Sequence, residues 1–370
     1  MPGHAHVVGA GPAGWAAARQ LARAGWSVDL HAGEAHHPYN RVEVSKSLLA
    51  GTATAADHGL GAVPDGVTLH LGDRIVVTRG HLTRAATGEE LSGPIILATG
   101  AIPRTAPSLA DAHVLRTADD ASRLRETLGG GGRGVDVVGA GVLGMEAAGS
   151  LTDAGHRVRV HDVAPEIMSR MLPDGAAAWL RGVHERRGVD FALGAEPQLD
   201  GDAVTVAAIG IRPDTELAEQ LGLEVADGVV VDELGRTSRT GIYAAGDCAA
   251  LRVGDCLHRD EDLASARASG IRGATGVLVD AGETEAPDAH APAPARRWSV
   301  QAGLRVTTVG EVVGTGTEPG AGAEHIVVVS EAEEFESVVV RDGLVIGAVA
   351  VAKRPNPRGI AAAVGHPWDR

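Results

Sequence analysis

Two glycine-spaced runs in this chain could each hold the phosphates of a dinucleotide. His6-Val7-Val8-Gly9-Ala10-Gly11-Pro12-Ala13-Gly14 and Val135-Asp136-Val137-Val138-Gly139-Ala140-Gly141-Val142-Leu143-Gly144 both set Gly-x-Gly-x-x-Gly between an apolar strand and a helix-forming stretch. In such a run the first glycine permits a tight turn, the second lets pyrophosphate approach the backbone, and the third lets helix and strand pack closely. Unpaired N–H groups at the helix start then face the phosphates. One run alone could be an ordinary glycine-rich turn. Two in matching contexts imply two dinucleotides, and the natural use of two is electron transfer between them. Glu34 and Asp162 lie just beyond the second strand of each unit, where a carboxylate can accept hydrogen bonds from ribose hydroxyls. Asp162 should repel the extra phosphate of NADPH, and Val163-Ala164-Pro165 offers no cation to hold one, so NADH is the preferred nicotinamide. Arg157 and Arg159 are near but sit on the strand.

The elements that must position these residues follow from the pattern. Residues 5–9 read as a strand, 12–24 as a helix ending at Gly25 and 26–31 as a second strand, a βαβ unit. A helix capped by Ser45 is expected after the loop that carries Arg41, then short strands over 67–79, 82–87 and 94–98. A helix near 118–128 and a glycine-rich hinge at 129–134 lead into the second βαβ unit at 135–162, with its helix at 142–154 and strand at 156–161. A helix near 174–187 and strands near 189–193 and 203–209 complete it. Strands at 229–231 and 241–247 and a helix at 261–278 follow. Residues 282–295, rich in Ala, Pro, Glu and Asp, read as a solvated linker. Alternating segments at 304–313, 325–330, 335–341 and 344–352 predict antiparallel sheet. The fold class is therefore α/β, with two nucleotide-binding βαβ domains and a C-terminal α+β domain.

With 370 residues the chain can bury two or three cores. A formal charge of -15 argues against a nucleic-acid partner. Apolar runs such as 344–352 are too short to span a bilayer, which excludes a membrane role, and no export signal is visible at Met1-Pro2-Gly3-His4, so a cytoplasmic location is expected. Cys248 and Cys256 lack the Cys-x-x-Cys spacing of a compact redox pair and read as ordinary thiols. No metal ligands are expected. Two Phe, two Tyr and five Trp leave few stacking platforms, so ring contacts would fall largely to aliphatic and backbone groups.

Taken with further segments, the chain resembles the FAD-dependent pyridine-nucleotide-disulfide reductase superfamily, in its ferredoxin and rubredoxin reductase branch. Those segments are Pro38-Tyr39-Asn40-Arg41 through Ser45-Lys46, Ala98-Thr99-Gly100-Ala101-Ile102-Pro103-Arg104, Gly139 to Glu146, Gly210-Ile211-Arg212-Pro213-Asp214, and Arg236-Thr237-Ser238 through Gly246-Asp247-Cys248-Ala249. The resemblance implies an FAD-binding domain of residues 1–108 and 236–285, an NAD-binding domain of 109–235 and a C-terminal domain of 296–370. It implies FAD contacts from Gly9, Gly11, Gly14, Glu34, Arg41, Lys46, Ala98, Thr99, Gly100, Arg104 and Asp247. It implies nicotinamide contacts from Gly139, Gly141, Gly144, Glu146, Asp162 and Gly210. Lys46 and Glu146 resemble a catalytic pair beside the flavin, a cation for the reduced ring and an acid that orients it. The implied activity is transfer from NADH through FAD, singly, to a [2Fe-2S] ferredoxin serving a cytochrome P450 or Rieske oxygenase, by a monomer or weak homodimer. Val42-Glu43-Val44-Ser45 has no cysteine for the redox thiol of disulfide-linked relatives.

The match is loosest near the C-terminus. Glu261-Asp262-Leu263 stands where relatives carry an acidic–His–Trp run, and Arg296-Arg297-Trp298-Ser299-Val300-Gln301 where they end an aromatic segment in Trp-Ser-Asp-Gln. Trp298 is expected near the flavin or as a core anchor, and the two arginines could dock an acidic ferredoxin. An NADH oxidase, a small-molecule flavoprotein oxidoreductase and a non-catalytic redox sensor remain alternatives.

Overall fold

Each glycine run folds as its spacing requires, and each builds its own parallel sheet. The computed structural model describes residues 3–287, 296–313 and 322–368. Chain contacts divide it into two units, one of residues 1–43, 53–102 and 211–289, the other of residues 44–52, 103–210 and 290–370.

In the first unit the strand His4–Val8 runs into the helix Pro12–Arg23, and the strand Ser27–Ala32 returns beside it. Pro12 at the first helical position has no N–H to lose there, and Gly25 ends the helix with a positive φ of 87°. The five-stranded parallel sheet has the order Ile242–Ala244, Ile95–Leu97, His4–Val8, Ser27–Ala32, Val67–Leu71. Ala13, Ala17, Ala18 and Leu21 of the helix are buried in one core with Val7, Leu30 and Ile96. The helix Leu263–Asp280 joins that core, capped by Asp262, which accepts from the Ala264 and Ser265 N–H groups at 2.8 and 3.0 Å. Gly270 lets it cross the first helix closely, since a Cβ there would stand 2.1 Å from the Ala13 carbonyl oxygen. On the other sheet face a second core gathers Val8, Ile75, Leu82, Leu97, Val229 and Ile242.

The second unit repeats the plan. Its parallel order is Asp190–Leu193, Arg157–Asp162, Gly134–Val138, Val204–Ala207, His113–Val114. The helix Val142–Asp153 follows the glycine turn, and Thr117 opens the helix Ala118–Leu128 with a reciprocal capping box to Asp120. The same unit holds a five-stranded antiparallel sheet ordered Arg296–Gln301, Leu304–Gly310, Leu344–Ala352, Phe335–Arg341, Ala323–Ser330, with a helix at Pro357–Ala363. Trp179 anchors this sheet to the helix Asp174–Arg186: its Nε1–H donates to the Glu331 carbonyl at 2.9 Å, and its ring meets that of Phe335.

Several sequence expectations differ from this arrangement. Residues 211–235 group with the first unit, where Gly228–Val231 pairs in parallel with Ala249–Val253. Residues 44–52 group with the second, held by hydrogen bonds described below. Ser45 does not cap a helix: Val44–Leu48 is a wide single turn broken at Lys46 (φ -117°, ψ -109°). The segment 67–79 divides into strands Val67–Leu71 and Ile75–Thr78, because Gly72 turns with φ 66°. A strand at Arg296–Gln301 was not expected, and residues 288–295 of the linker lie outside the described residues. No helix among the described residues is long and apolar enough to cross a membrane.

Candidate functional site

Both glycine turns separate what the protein needs for its own packing from what it keeps open. A Cβ on Gly9 would stand 2.1 Å from the Ala98 carbonyl oxygen, and one on Gly14 only 1.8 Å from that of Gly9. The second unit matches: Gly139 would meet the Ala208 oxygen at 2.3 Å, and Gly144 the Gly139 oxygen at 1.8 Å. Gly9 and Gly139 also need φ of 107° and 110°. The middle glycines answer to no such demand. A Cβ on Gly141 would meet nothing within 4 Å, and one on Gly11 only Arg41 Nε at 3.9 Å. Their missing side chains leave the backbone open at two helix N-termini, a cradle that fits a pyrophosphate. In the first unit that cradle lies under a guanidinium.

Around it the first unit collects most of the expected flavin residues. Glu34 lies two residues beyond the second strand and accepts from the Tyr39 hydroxyl at 2.8 Å and from Arg41, whose guanidinium also lies over the Tyr39 ring. Ala98 follows the strand Ile95–Leu97 and donates its N–H to the Val8 carbonyl at 2.7 Å. Thr99 Oγ1 donates to the Asp214 carbonyl at 2.7 Å, and Gly100 accepts the Asp214 N–H at 2.9 Å. Asp247 is half-buried in the turn Gly246–Cys248, where a Cβ on Gly246 would stand 2.8 Å from Ala13 Cβ at the start of the first helix. Cys248 is buried, its thiol pushed up by desolvation, and Cys256 is exposed; neither is in a disulfide.

In the second unit Asp162 closes the equivalent turn. Its two oxygens accept the Ala140 N–H at 2.6 Å and the Ala164 N–H at 2.8 Å, which fixes the carboxylate beside the open glycine. Each oxygen keeps a lone pair for a ribose hydroxyl. Arg104 is exposed and adjoins Gly210: the Arg104 N–H donates to the Gly210 carbonyl at 2.9 Å.

The densest polar cluster surrounds Glu146, on the helix that follows the second glycine turn. Lys46 Nζ lies 2.6 Å from Glu146 Oε2, and the pair is nearly buried, with side chains 16% and 7% exposed. Ser45 Oγ donates to Oε2 at 2.6 Å, and Ser299 Oγ donates to Oε1 at 2.6 Å. Gln301 Nε2 donates to Ser299 Oγ at 2.8 Å and to the Val142 carbonyl at 3.2 Å. Ser150 Oγ donates to the Ser45 carbonyl at 2.7 Å, and Arg125 to the Leu48 carbonyl at 3.0 Å. The lysine-bearing turn is thus pinned at both ends, and three donors, two on Oε2 and one on Oε1, compensate the withdrawal of the Glu146 carboxylate from water.

Trp298 is not part of this cluster. Successive strand residues face opposite sides, so Ser299 reaches Glu146 while the Trp298 ring lies under the Arg305 guanidinium, 4.6 Å from its carbon. Sequence reasoning named Lys46, Glu146 and Glu34 but missed Ser45 and Ser299 as partners of Glu146 and Tyr39 as a partner of Glu34. The available signal was alternation: Ser299 and Gln301 stand two apart and so share a face of their strand, and both are buried.

Comparison with known proteins gives the family. The family described as pyridine nucleotide-disulphide oxidoreductase matches residues 4–270. A rubredoxin-NAD(+) reductase of Pseudomonas putida is 33% identical over 82% of this chain and 86% of its own length. The ferredoxin–NAD(+) reductase component of a p-cumate 2,3-dioxygenase system, also of Pseudomonas putida, is 31% identical over 86% of this chain and 84% of its own. Among solved structures, the covalent putidaredoxin reductase–putidaredoxin complex matches with a TM-score of 0.81 and 25% identity, covering 97% of this chain and 91% of that one. With more than two thirds of its length matched and the two glycine cradles intact, the chain belongs to the pyridine nucleotide-disulphide oxidoreductase family.

Proposed function

We propose that this protein is an NADH-dependent FAD reductase that passes electrons one at a time to an iron–sulfur protein, a [2Fe-2S] ferredoxin of a cytochrome P450 or Rieske oxygenase system. The observation that carries this reading is the buried cluster on Glu146. The turn that would bear a redox cysteine in disulfide-linked relatives presents Ser45 and Lys46 instead, both bonded to the same carboxylate. A serine hydroxyl cannot relay electrons, so the route leads outward from the flavin without a thiol. The relatives' names point the same way, since they pair such chains with rubredoxin or ferredoxin and with NAD(+).

When bound, FAD would supply a centre that takes a hydride and gives up electrons singly. The residues of this chain hold and tune it. Gly11 and Arg41 would receive the FAD pyrophosphate, Glu34 a ribose and Asp247 the ribityl chain. Gly141 would receive the pyrophosphate of NADH, and Asp162 its ribose, where a 2′-phosphate would meet a negative charge. By the family resemblance Lys46 would supply a cation for the charge of a reduced flavin, and Glu146, 2.6 Å from its ammonium, would keep that ammonium in one orientation. Arg296 and Arg297, exposed at the start of their strand, add positive charge to an otherwise acidic protein and would steer an acidic partner.

Anaerobic stopped-flow mixing with NADH and with NADPH, followed by a panel of ferredoxins and rubredoxins, tests the reading. Bleaching of the flavin by NADH and rapid reduction of an iron–sulfur protein are expected. Fast oxygen consumption with no transfer to any of the panel would favour an NADH oxidase instead, and a flavin that neither nicotinamide bleaches would favour a sensor.

A further inference from the structure

The first three strands of the first unit carry four histidines and an aspartate on one face, a feature outside the glycine turn and unused by the reaction. Parallel register places His6 opposite Asp29 and His31 opposite His70, with His4 two residues before His6. Side chains two apart share a face, so His4, His6, Asp29, His31 and His70 converge. We propose that His4, His6 and Asp29 form a binding site for a divalent transition-metal ion of imidazole preference, such as zinc.

The geometry has the parts of such a site. One ligand atom from each of the three residues lies within 4.8 Å of the others. His4 Nε2 stands 3.0 Å from Asp29 Oδ2, and His6 Nδ1 stands 3.9 Å from the same oxygen. Bonds of about 2.0–2.2 Å from one ion reach three such atoms after a small turn of the His4 ring, whose side chain is 41% exposed and free to make it.

Outer contacts orient the inner ones, as metal sites require. His70 Nε2 is 2.7 Å from Asp29 Oδ1, which leaves Oδ2 turned toward His4 and His6. His6 Nδ1 also lies 3.1 Å from His31 Nε2, a contact it would give up to the ion, and His31 Nδ1 is held 2.7 Å from Asp73 Oδ2. Arg84 Nε completes the chain 3.0 Å from Asp73. His31 and Asp73 are buried, whereas His4 opens the site to solvent. A network that runs from exposed His4 to buried His31 and Asp73 is more than a row of surface histidines.

The ion would tie the first strand to the second near its start, at the end remote from the Gly9 turn. Its effect is therefore on the sheet and not on flavin reduction. The sequence reading expected no metal; His4 and His6 are two residues apart on one strand, and Asp29 joins them only through the parallel pairing, 25 and 23 residues on.

Chelator-treated, FAD-loaded protein in a Cys256→Ser background, which removes the exposed thiol, should be titrated with zinc chloride by calorimetry and melted with and without zinc. One zinc per chain is expected, with a rise in melting temperature. His4→Ala should weaken binding at least tenfold and abolish that rise, and Asp29→Asn should do the same. His81→Ala, an exposed histidine on the neighbouring hairpin paired with Glu90, should change neither. Because His4 is at the surface, its variant keeps the fold, which retained FAD verifies. Zinc uptake by His4→Ala equal to that of the parent, no stoichiometric zinc in the parent, or an equal loss in His81→Ala would overturn the proposal.

Discussion

Replacing Glu146 with glutamine removes one charge from the cluster and little of its shape. Lys46 Nζ is 2.6 Å from Glu146 Oε2, and at an effective dielectric constant of about 20 that separation corresponds to roughly 6 kcal/mol of attraction. Desolvation offsets much of it, because both side chains are largely withdrawn from water. Removing one partner of a buried pair costs about 3–5 kcal/mol. Glutamine keeps one oxygen for a serine hydroxyl, so the lower end applies, about 3 kcal/mol, or a fall in melting temperature of roughly 6–12 °C. Lys46→Met should cost less, since Glu146 retains Ser45 and Ser299. The double variant should be more stable than the two losses added together, with a coupling of about 2 kcal/mol. Flavin reduction by NADH, followed anaerobically at saturating NADH, should slow by ten- to a hundredfold in Glu146→Gln, equivalent to about 1.4–2.8 kcal/mol of barrier. The double variant should be no slower than the worse single one, because the two residues act as a unit. An additive cycle, or a Glu146→Gln protein that melts and reduces its flavin as the parent does, would refute the reasoning.

Further outcomes follow from the two turns and from one buried histidine. Asp162→Ser should narrow the ratio of kcat/KM for NADH over NADPH by about tenfold, or 1.4 kcal/mol, measured in steady state with both nucleotides; an unchanged ratio would remove Asp162 from specificity. Gly11→Ala should fold, with room for its Cβ, but purify with little FAD, whereas Gly14→Ala drives a Cβ against the Gly9 carbonyl and should lose about 4 kcal/mol or more of stability; equal flavin content in parent and Gly11→Ala would show that the cradle is not a phosphate site. His184 is fully buried, and desolvation lowers its pKa from 6.5 to about 4. Its unfolded imidazole therefore binds a proton between those values while the folded one does not, so its contribution is intact above pH 6.5 and is lost on acidification toward pH 4, by about 3 kcal/mol in all. Melting curves of His184→Leu should fall less steeply than the parent's across that window, and parallel slopes would count against the assignment.

How much the sequence disclosed follows from how far apart the cooperating residues are. A glycine turn is written in consecutive residues, and the constraints on Gly9 and Gly14 arise from neighbours fixed by the same βαβ unit, so strand, turn and helix were legible without the structure. Glu34 and Asp162 were legible for the same reason, each one strand beyond its turn. The surroundings of Glu146 were not, since Ser45 and Ser299 stand 101 and 153 residues from it. Local chemistry even misdirected the reading: a serine before a polar turn looks like a helix cap, yet the Ser45 hydroxyl has a stronger acceptor in a buried carboxylate. At Trp298 the aromatic draws attention, while the strand's alternation hands the contact with Glu146 to the serine beside it. The C-terminal sheet therefore supplies more than a third core. By delivering Ser299 to Glu146, with Gln301 donating to Ser299 behind it, the sheet supplies a donor to a carboxylate whose helix belongs to the nucleotide-binding fold, and so couples its own integrity to the orientation of Lys46.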